Sequence, residues 1–98
     1  MKVDFKDHDL DRLETDREFT GGFPREVVTA YRKKMQQIRA AIDERDLYAI
    51  RSHRFKKLKG KRSHQSSMRL NDQWRLIVEI EKQEFGNVLW IVEICDYH

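Results

Sequence analysis

The apolar positions of this chain change period part-way along it, dividing the sequence into a helical front and a stranded back. Val27, Val28, Tyr31, Met35, Ile38 and Ile42 recur at spacings of three and four, which marks a helix with one apolar stripe. Pro24 suits its first turn, where a missing N–H costs nothing, and Glu26 lies near the positive end of the helix dipole. The pattern predicts a helix from Pro24 to about Glu44, with Arg25, Arg32, Lys33, Gln36, Gln37, Arg39 and Asp43 on its polar face. Ahead of it, Leu10 and Leu13 on a polar background predict a short surface helix over His8–Arg17, broken by Thr20-Gly21-Gly22. Val3 and Phe5 alternate with polar neighbours and read as a short strand. Leu47 and Ile50 can anchor one further turn over Asp46–Ile50.

Towards the C-terminus the period becomes two. Met68 and Leu70 flank Arg69, and Asn71-Asp72-Gln73 then supplies turn chemistry. Trp74, Leu76, Val78 and Ile80 share one face of the next run, opposite Arg75, Ile77, Glu79 and Glu81. After a second turn over Lys82–Asn87, the last run places Val88, Trp90, Val92 and Ile94 on one face. Three adjacent strands with short connections predict an antiparallel meander whose apolar face the long helix covers. The expected fold is therefore α+β: a small antiparallel sheet of three C-terminal strands plus an N-terminal one, packed against two N-terminal helices.

Composition narrows this picture. Ninety-eight residues suit one domain, spanning 1–98, with a single modest core. Charged residues are abundant in both signs, unlike a disordered one-sign chain. Cys95 is the lone cysteine, so no intramolecular disulfide can form, which fits a reducing cytosol. With no signal segment and no apolar run of membrane-spanning length, the expectation is a cytoplasmic protein with no membrane partner.

The net charge of +3 is mild, but its distribution is uneven. Acids crowd the first twenty residues, whereas Arg51, Arg54, Lys56, Lys57, Lys59, Lys61 and Arg62 place seven cations in twelve residues without one acid. Such a block is either a solvated loop or a phosphate-facing patch. The chain lacks a glycine-rich phosphate loop, a His-Glu-x-x-His helix and paired cysteines, and Cys95 with His98 has no second ligand pair. No metal and no cofactor is expected.

What remains suits metal-free RNA cleavage. That reaction needs a base for the ribose 2′-hydroxyl, an acid for the leaving 5′-oxygen, and cations around the pentavalent phosphorus. Arg75 lies among apolar strand residues, where a guanidinium needs either a carboxylate partner or a phosphate. If the hairpin keeps register, Arg69 shares its face. Lys59 stands at the approach to the sheet, and Asp96-Tyr97-His98 ends the chain with titrating groups. Taken singly, His98 is a fraying last residue and Tyr97 an aromatic lid on the core edge. The case rests on their combination.

Leu58-Lys59-Gly60, then Ser67-Met68-Arg69-Leu70-Asn71-Asp72-Gln73-Trp74-Arg75-Leu76, then the final Asp96-Tyr97-His98, resemble the HigB toxins of the RelE/ParE superfamily. The likeness is close over the second half and looser at the front. It implies a RelE-like fold and a toxin of a bacterial type II toxin–antitoxin system. Such a toxin is a ribosome-dependent endoribonuclease that cuts mRNA in the ribosomal A site, inhibiting translation, with the 2′-hydroxyl as nucleophile and no metal. Carried over by matching position, Lys59 and Arg75 would hold the scissile phosphate, and Asp96, Tyr97 and His98 would supply acid–base and orienting groups. His98 is the natural proton-transfer group, since an imidazole titrates near neutrality. Some HigB toxins carry a histidine where this chain has Lys56, so His98 would carry more of the proton transfer, or His53 would substitute.

The resemblance also implies partners. The basic block, with Arg69, would dock among mRNA and ribosomal RNA phosphates, and Arg32, Lys33 and Arg39 could extend it. A helix-turn-helix, HigA-like antitoxin would bind the toxin, and operator DNA would be met only through that antitoxin. Two alternatives stay open: a ParE-like toxin acting on DNA gyrase, and a catalytically silent RNA- or antitoxin-binding protein.

Overall fold

The structure, a computed structural model, describes residues 1–96. Its elements are β1 (Lys2–Phe5), α1 (His8–Thr15), α2 (Arg25–Ala40), α3 (Glu44–Ala49), β2 (Lys56–Lys57), β3 (Ser66–Arg69), β4 (Trp74–Glu81) and β5 (Val88–Asp96). Short 3₁₀ turns over Arg51–His53 and Gly60–Arg62 flank β2. One five-stranded sheet runs in the order β1-β5-β4-β3-β2. The pairs β2/β3, β3/β4 and β4/β5 are antiparallel, as the meander predicts. However, β1 lies parallel to β5, so the sheet is mixed rather than purely antiparallel. A strand separated from its partner by intervening elements is free to pair in parallel, which a tight hairpin forbids.

The α2 stripe does what its period demands. Val27, Tyr31, Met35 and Ile38 are fully buried against Leu76, Val78, Leu89 and Ile91 of the sheet and Leu10 and Leu13 of α1. The Tyr31 hydroxyl donates to the Leu10 carbonyl at 2.7 Å, tying α2 to α1, and burial pushes its pKa up. Arg32 fastens the same junction. Its guanidinium donates to the carbonyls of Leu13 and Asp16, both at 2.9 Å, and Phe19 at 3.1 Å. These carbonyls at and beyond the end of α1 would otherwise lack helical partners. Arg39 grips Glu14 through two bonds of 2.6 and 2.7 Å.

Two expectations fail here. The long helix ends at Ala40, and Ile42 is 84% exposed rather than part of the stripe. Ala41 is extended, the Met1 ammonium donates to the carbonyls of Arg39 and Ala41, and Asp43 caps α3 by accepting from the Arg45 N–H. A positive charge at a helix C-terminus favours ending the helix there. The face assigned to β5 also changes half-way along. Ile77 pairs with Glu93 but Val78 pairs with Ile91, leaving Val92 as an extra residue. This bulge reverses the alternation, so Leu89 and Ile91 enter the core together with Ile94. Trp90 turns outward, its indole N–H donating to Glu81 at 2.9 Å and its ring lying under the Lys6 ammonium.

Candidate active site

The β3–β4 hairpin is fixed by the side chain of Asn71. Its Oδ1 accepts from the backbone N–H groups of Gln73 at 2.9 Å and Trp74 at 2.8 Å, while the Leu70 N–H donates to the Trp74 carbonyl at 2.9 Å. This asparagine-closed turn makes the strand register definite. Met68 lies opposite Leu76 in the core, and Arg69 lies opposite Arg75. Two guanidiniums are thus borne on directly opposed residues, an arrangement that stability alone disfavours.

Opposed residues share a face, so the register maps the sheet's outer surface. One row across the strands reads Arg69, Arg75 and Cys95. The adjacent row reads Lys56, Ser67, Ile77 and Glu93. Lys56, Arg69 and Arg75 therefore lie on one face, at the end of the sheet where β5 terminates. Within this region Arg62 pairs with Glu93 at 3.2 Å, and Arg69 pairs with Asp72. Because Asp72 is almost wholly solvent-exposed, that ion pair is a weak competitor for a ligand.

Asp96 pairs with Trp74 and so stands one position along from the Arg75–Cys95 pair, towards the Phe23–Trp74 side of the sheet. Its carboxylate accepts from the Gln73 side chain at 2.8 Å, which ties the end of β5 to the hairpin turn. Tyr97 and His98, the two remaining candidate proton-transfer and orienting groups, lie outside the described residues. Cys95 is half-buried, and desolvation followed by the nearby Glu93 pushes its thiol pKa up, which favours the un-ionised thiol.

The basic segment is more ordered than a solvated loop. Lys56 and Lys57 form an edge strand against Ser67 and Ser66. Lys59 leads into the second 3₁₀ turn, where Gly60 takes the positive φ of 68° that the reversal needs. Lys59 thus stands beyond β2, on the far side of β3 from Arg75. Arg51 lies in the first 3₁₀ turn, and Arg54 closes it in the left-handed region at φ 45°. Lys61 and Arg62 lie in the second turn. All seven cations of the segment are exposed. Of the three proposed helix extensions, Arg32 and Arg39 are instead committed to α1, leaving Lys33 at the surface.

Lys34 was not among the residues singled out from the sequence. It is 8% exposed, and its Nζ lies 2.6 Å from Nδ1 of His53, which is fully buried. A protonated Lys34 donates to Nδ1, which requires a neutral His53 carrying its proton on Nε2. Burial, and then the Lys34 charge, hold the His53 pKa down at about 4. His53 is therefore an internal brace for Lys34 rather than the substitute proton-transfer group at the surface. The clue was present: Lys34 lies three residues after Tyr31 and four before Ile38, on the edge of the apolar stripe.

The family model described as the RelE-like toxin of the type II toxin–antitoxin system HigB matches residues 3–98. The chain belongs to this HigB-like toxin family, and so to the toxins whose partner is an antitoxin. Among solved structures, the YoeB/ParE toxin from Agrobacterium tumefaciens is similar in fold, with a TM-score of 0.60 at 13% identity over 100% of both chains. The conserved hypothetical protein HP0894 from Helicobacter pylori is likewise similar, with a TM-score of 0.55 at 15% identity over 99% of this chain and 94% of its own. These likenesses establish a RelE/YoeB-like fold. A sequence search of curated proteins finds no match. No helix among the described residues is long and apolar enough to cross a membrane.

Proposed function

We propose that this toxin is a ribosome-dependent endoribonuclease that cuts A-site mRNA by attack of a ribose 2′-hydroxyl on the adjacent phosphate. The observation that carries this reading is the Arg69–Arg75 pair on the outer face, with Lys56 on the same face; Asp96, opposite Trp74, lies at the same end of the sheet but alternates to the other face. Cations borne on opposed residues repel each other, and an added anion relieves that repulsion, so the face favours binding a negatively charged group. A phosphate gaining negative charge as it becomes pentavalent is such an anion.

In this mechanism a base takes the 2′-hydroxyl proton, the 2′-oxygen attacks phosphorus, and the bond to the 5′-oxygen breaks. That oxygen receives a proton from an acid. The products are a 2′,3′-cyclic phosphate and a 5′-hydroxyl. Arg75 and Arg69 neutralise the phosphorane and Lys59 approaches the RNA from beyond β2, while Asp96, Tyr97 and His98 supply acid–base and orienting groups. Lys56 occupies the face where an imidazole stands in some relatives, adding charge and leaving proton transfer to the C-terminal groups. The cations of the 51–62 segment hold ribosomal and messenger RNA through their phosphates. A HigA-like helix-turn-helix antitoxin is the proposed partner, with operator DNA reached only through it.

The test adds purified protein to a translation reaction and, separately, to a gyrase supercoiling reaction. Arrest with mRNA cut on the ribosome, and normal supercoiling, is expected. Inhibited supercoiling with intact mRNA would assign the chain to the gyrase-directed alternative. An effect in neither reaction, from correctly folded protein, would favour the silent binding protein.

A further inference from the structure

A second concentration of charge lies between α2 and the end of β3. There a cavity of about 180 Å³ is bordered by Lys33, Lys34, Gln37, Ser52 and Arg69, with no carboxylate among the described residues of its lining. Its volume is several times what one ordered water needs. β2 pairs only with Ser66 and Ser67, which leaves the Arg69 end of this strand edge uncovered by β2. Lys34 has three ammonium donors, of which the 2.6 Å contact with His53 engages one. A buried lysine surrounded by apolar groups and like charges is unfavourable unless an anion joins it. Burial, then Lys33 and Arg69, lower its pKa, as expected for a cation held in place without a counter-charge.

We propose that this cavity is a phosphodiester-binding subsite, in which Lys34, braced by His53, and the flanking Lys33 and Arg69 grip an RNA backbone phosphate other than the one cleaved. Gln37 and Ser52 offer neutral donors to the remaining oxygens. Arg69 belongs both to this cavity and, by register, to the Arg75 face, so the subsite adjoins the cleavage site. The proposal rests on the endoribonuclease reading for its ligand but not for its chemistry, since any phosphate ester would satisfy the same groups.

The test is an NMR titration of the isolated toxin with inorganic phosphate, a 2′-O-methyl single-stranded oligonucleotide and an A-form RNA duplex. The amide signals of Ser52 and Leu70 and the Lys34 ammonium signal are expected to move with phosphate and more strongly with one of the two RNAs. Preference for the single strand assigns the subsite to the messenger, and preference for the duplex assigns it to ribosomal RNA. Lys34→Met should weaken RNA binding by about tenfold and reduce its salt dependence by about one released counter-ion. Ser52→Glu, an exposed position where a poor fold is not expected, places a carboxylate in the cavity and should abolish the phosphate response. Unmoved signals, or wild-type RNA affinity in both variants, would overturn the subsite. If these variants behave as expected but wild-type protein leaves ribosome-bound mRNA intact, the subsite stands and the cleavage reading fails.

Discussion

The two flanks of α2 carry the same kind of residue in opposite circumstances. On one flank, Arg32 and Arg39 are provided with internal partners: four carbonyls from α1 and the turn that follows it, and the carboxylate of Glu14. On the other, Lys33 and Lys34 border a cavity with Arg69, with no acid among the described residues of its lining, and Arg69, paired with the exposed Asp72, in turn opposes Arg75. The first flank holds two helices together. The second gathers positive charge around a cavity. Cations in a toxin of this size can therefore be sorted by what receives their hydrogen bonds, which total charge cannot do.

This contrast can be broken at each point. The largest effect is expected for Arg75→Ala, which should lower cleavage of ribosome-bound mRNA by about 100- to 1,000-fold, the usual loss when a transition-state donor is removed. Single-turnover cleavage is the measurement, and antitoxin binding should survive as evidence of an intact fold. Next is the acid limb of the stability curve. His53 is held at about 4 in the fold, against an ordinary value near 6.5. It is neutral in both states above pH 6.5, but between there and pH 4 the unfolded chain takes up a proton that the fold refuses. Stability should therefore fall as the pH drops through that window, by about 3 kcal/mol in all. The Lys34→Met, His53→Leu double variant should lose this part of the slope in denaturant titrations.

Arg32→Ala should come third, costing about 2 kcal/mol of stability through the carbonyls it leaves at the end of α1. Thermal melting measures this, and cleavage per folded molecule should be unchanged. Lys33→Ala sits at the small end for stability, within about 0.5 kcal/mol of wild type, as is usual for an exposed side chain. It should nevertheless weaken RNA binding in low salt. Equal stability losses for Arg32→Ala and Lys33→Ala would erase the distinction between the flanks.

The sequence disclosed what depends on local periodicity. The α2 stripe from Val27 to Ile38, the alternation of β4 and the Asn71 turn all follow from neighbours a few residues apart, and each appears where expected. Non-local choices were less legible. Nothing in the alternation of β5 announces an extra residue at Val92, because a bulge depends on the partner strand as much as on its own sequence. The parallel pairing of β1 is hidden for the same reason. Arg32 read as surface charge because its carbonyl partners lie 13 to 19 residues away along the chain. Within the candidate site, the Arg69–Arg75 pairing was legible from the turn, whereas the Lys34–His53 contact required two distant segments to meet.

The most direct test of the central claim is cleavage on a ribosome programmed with mRNA carrying one 2′-deoxy nucleotide at the cut position. Attack by the 2′-hydroxyl predicts rapid cutting of the all-ribose message to a 2′,3′-cyclic phosphate and a 5′-hydroxyl, and no cutting of the deoxy-substituted one at that position. Equal cutting of both messages there would contradict the account.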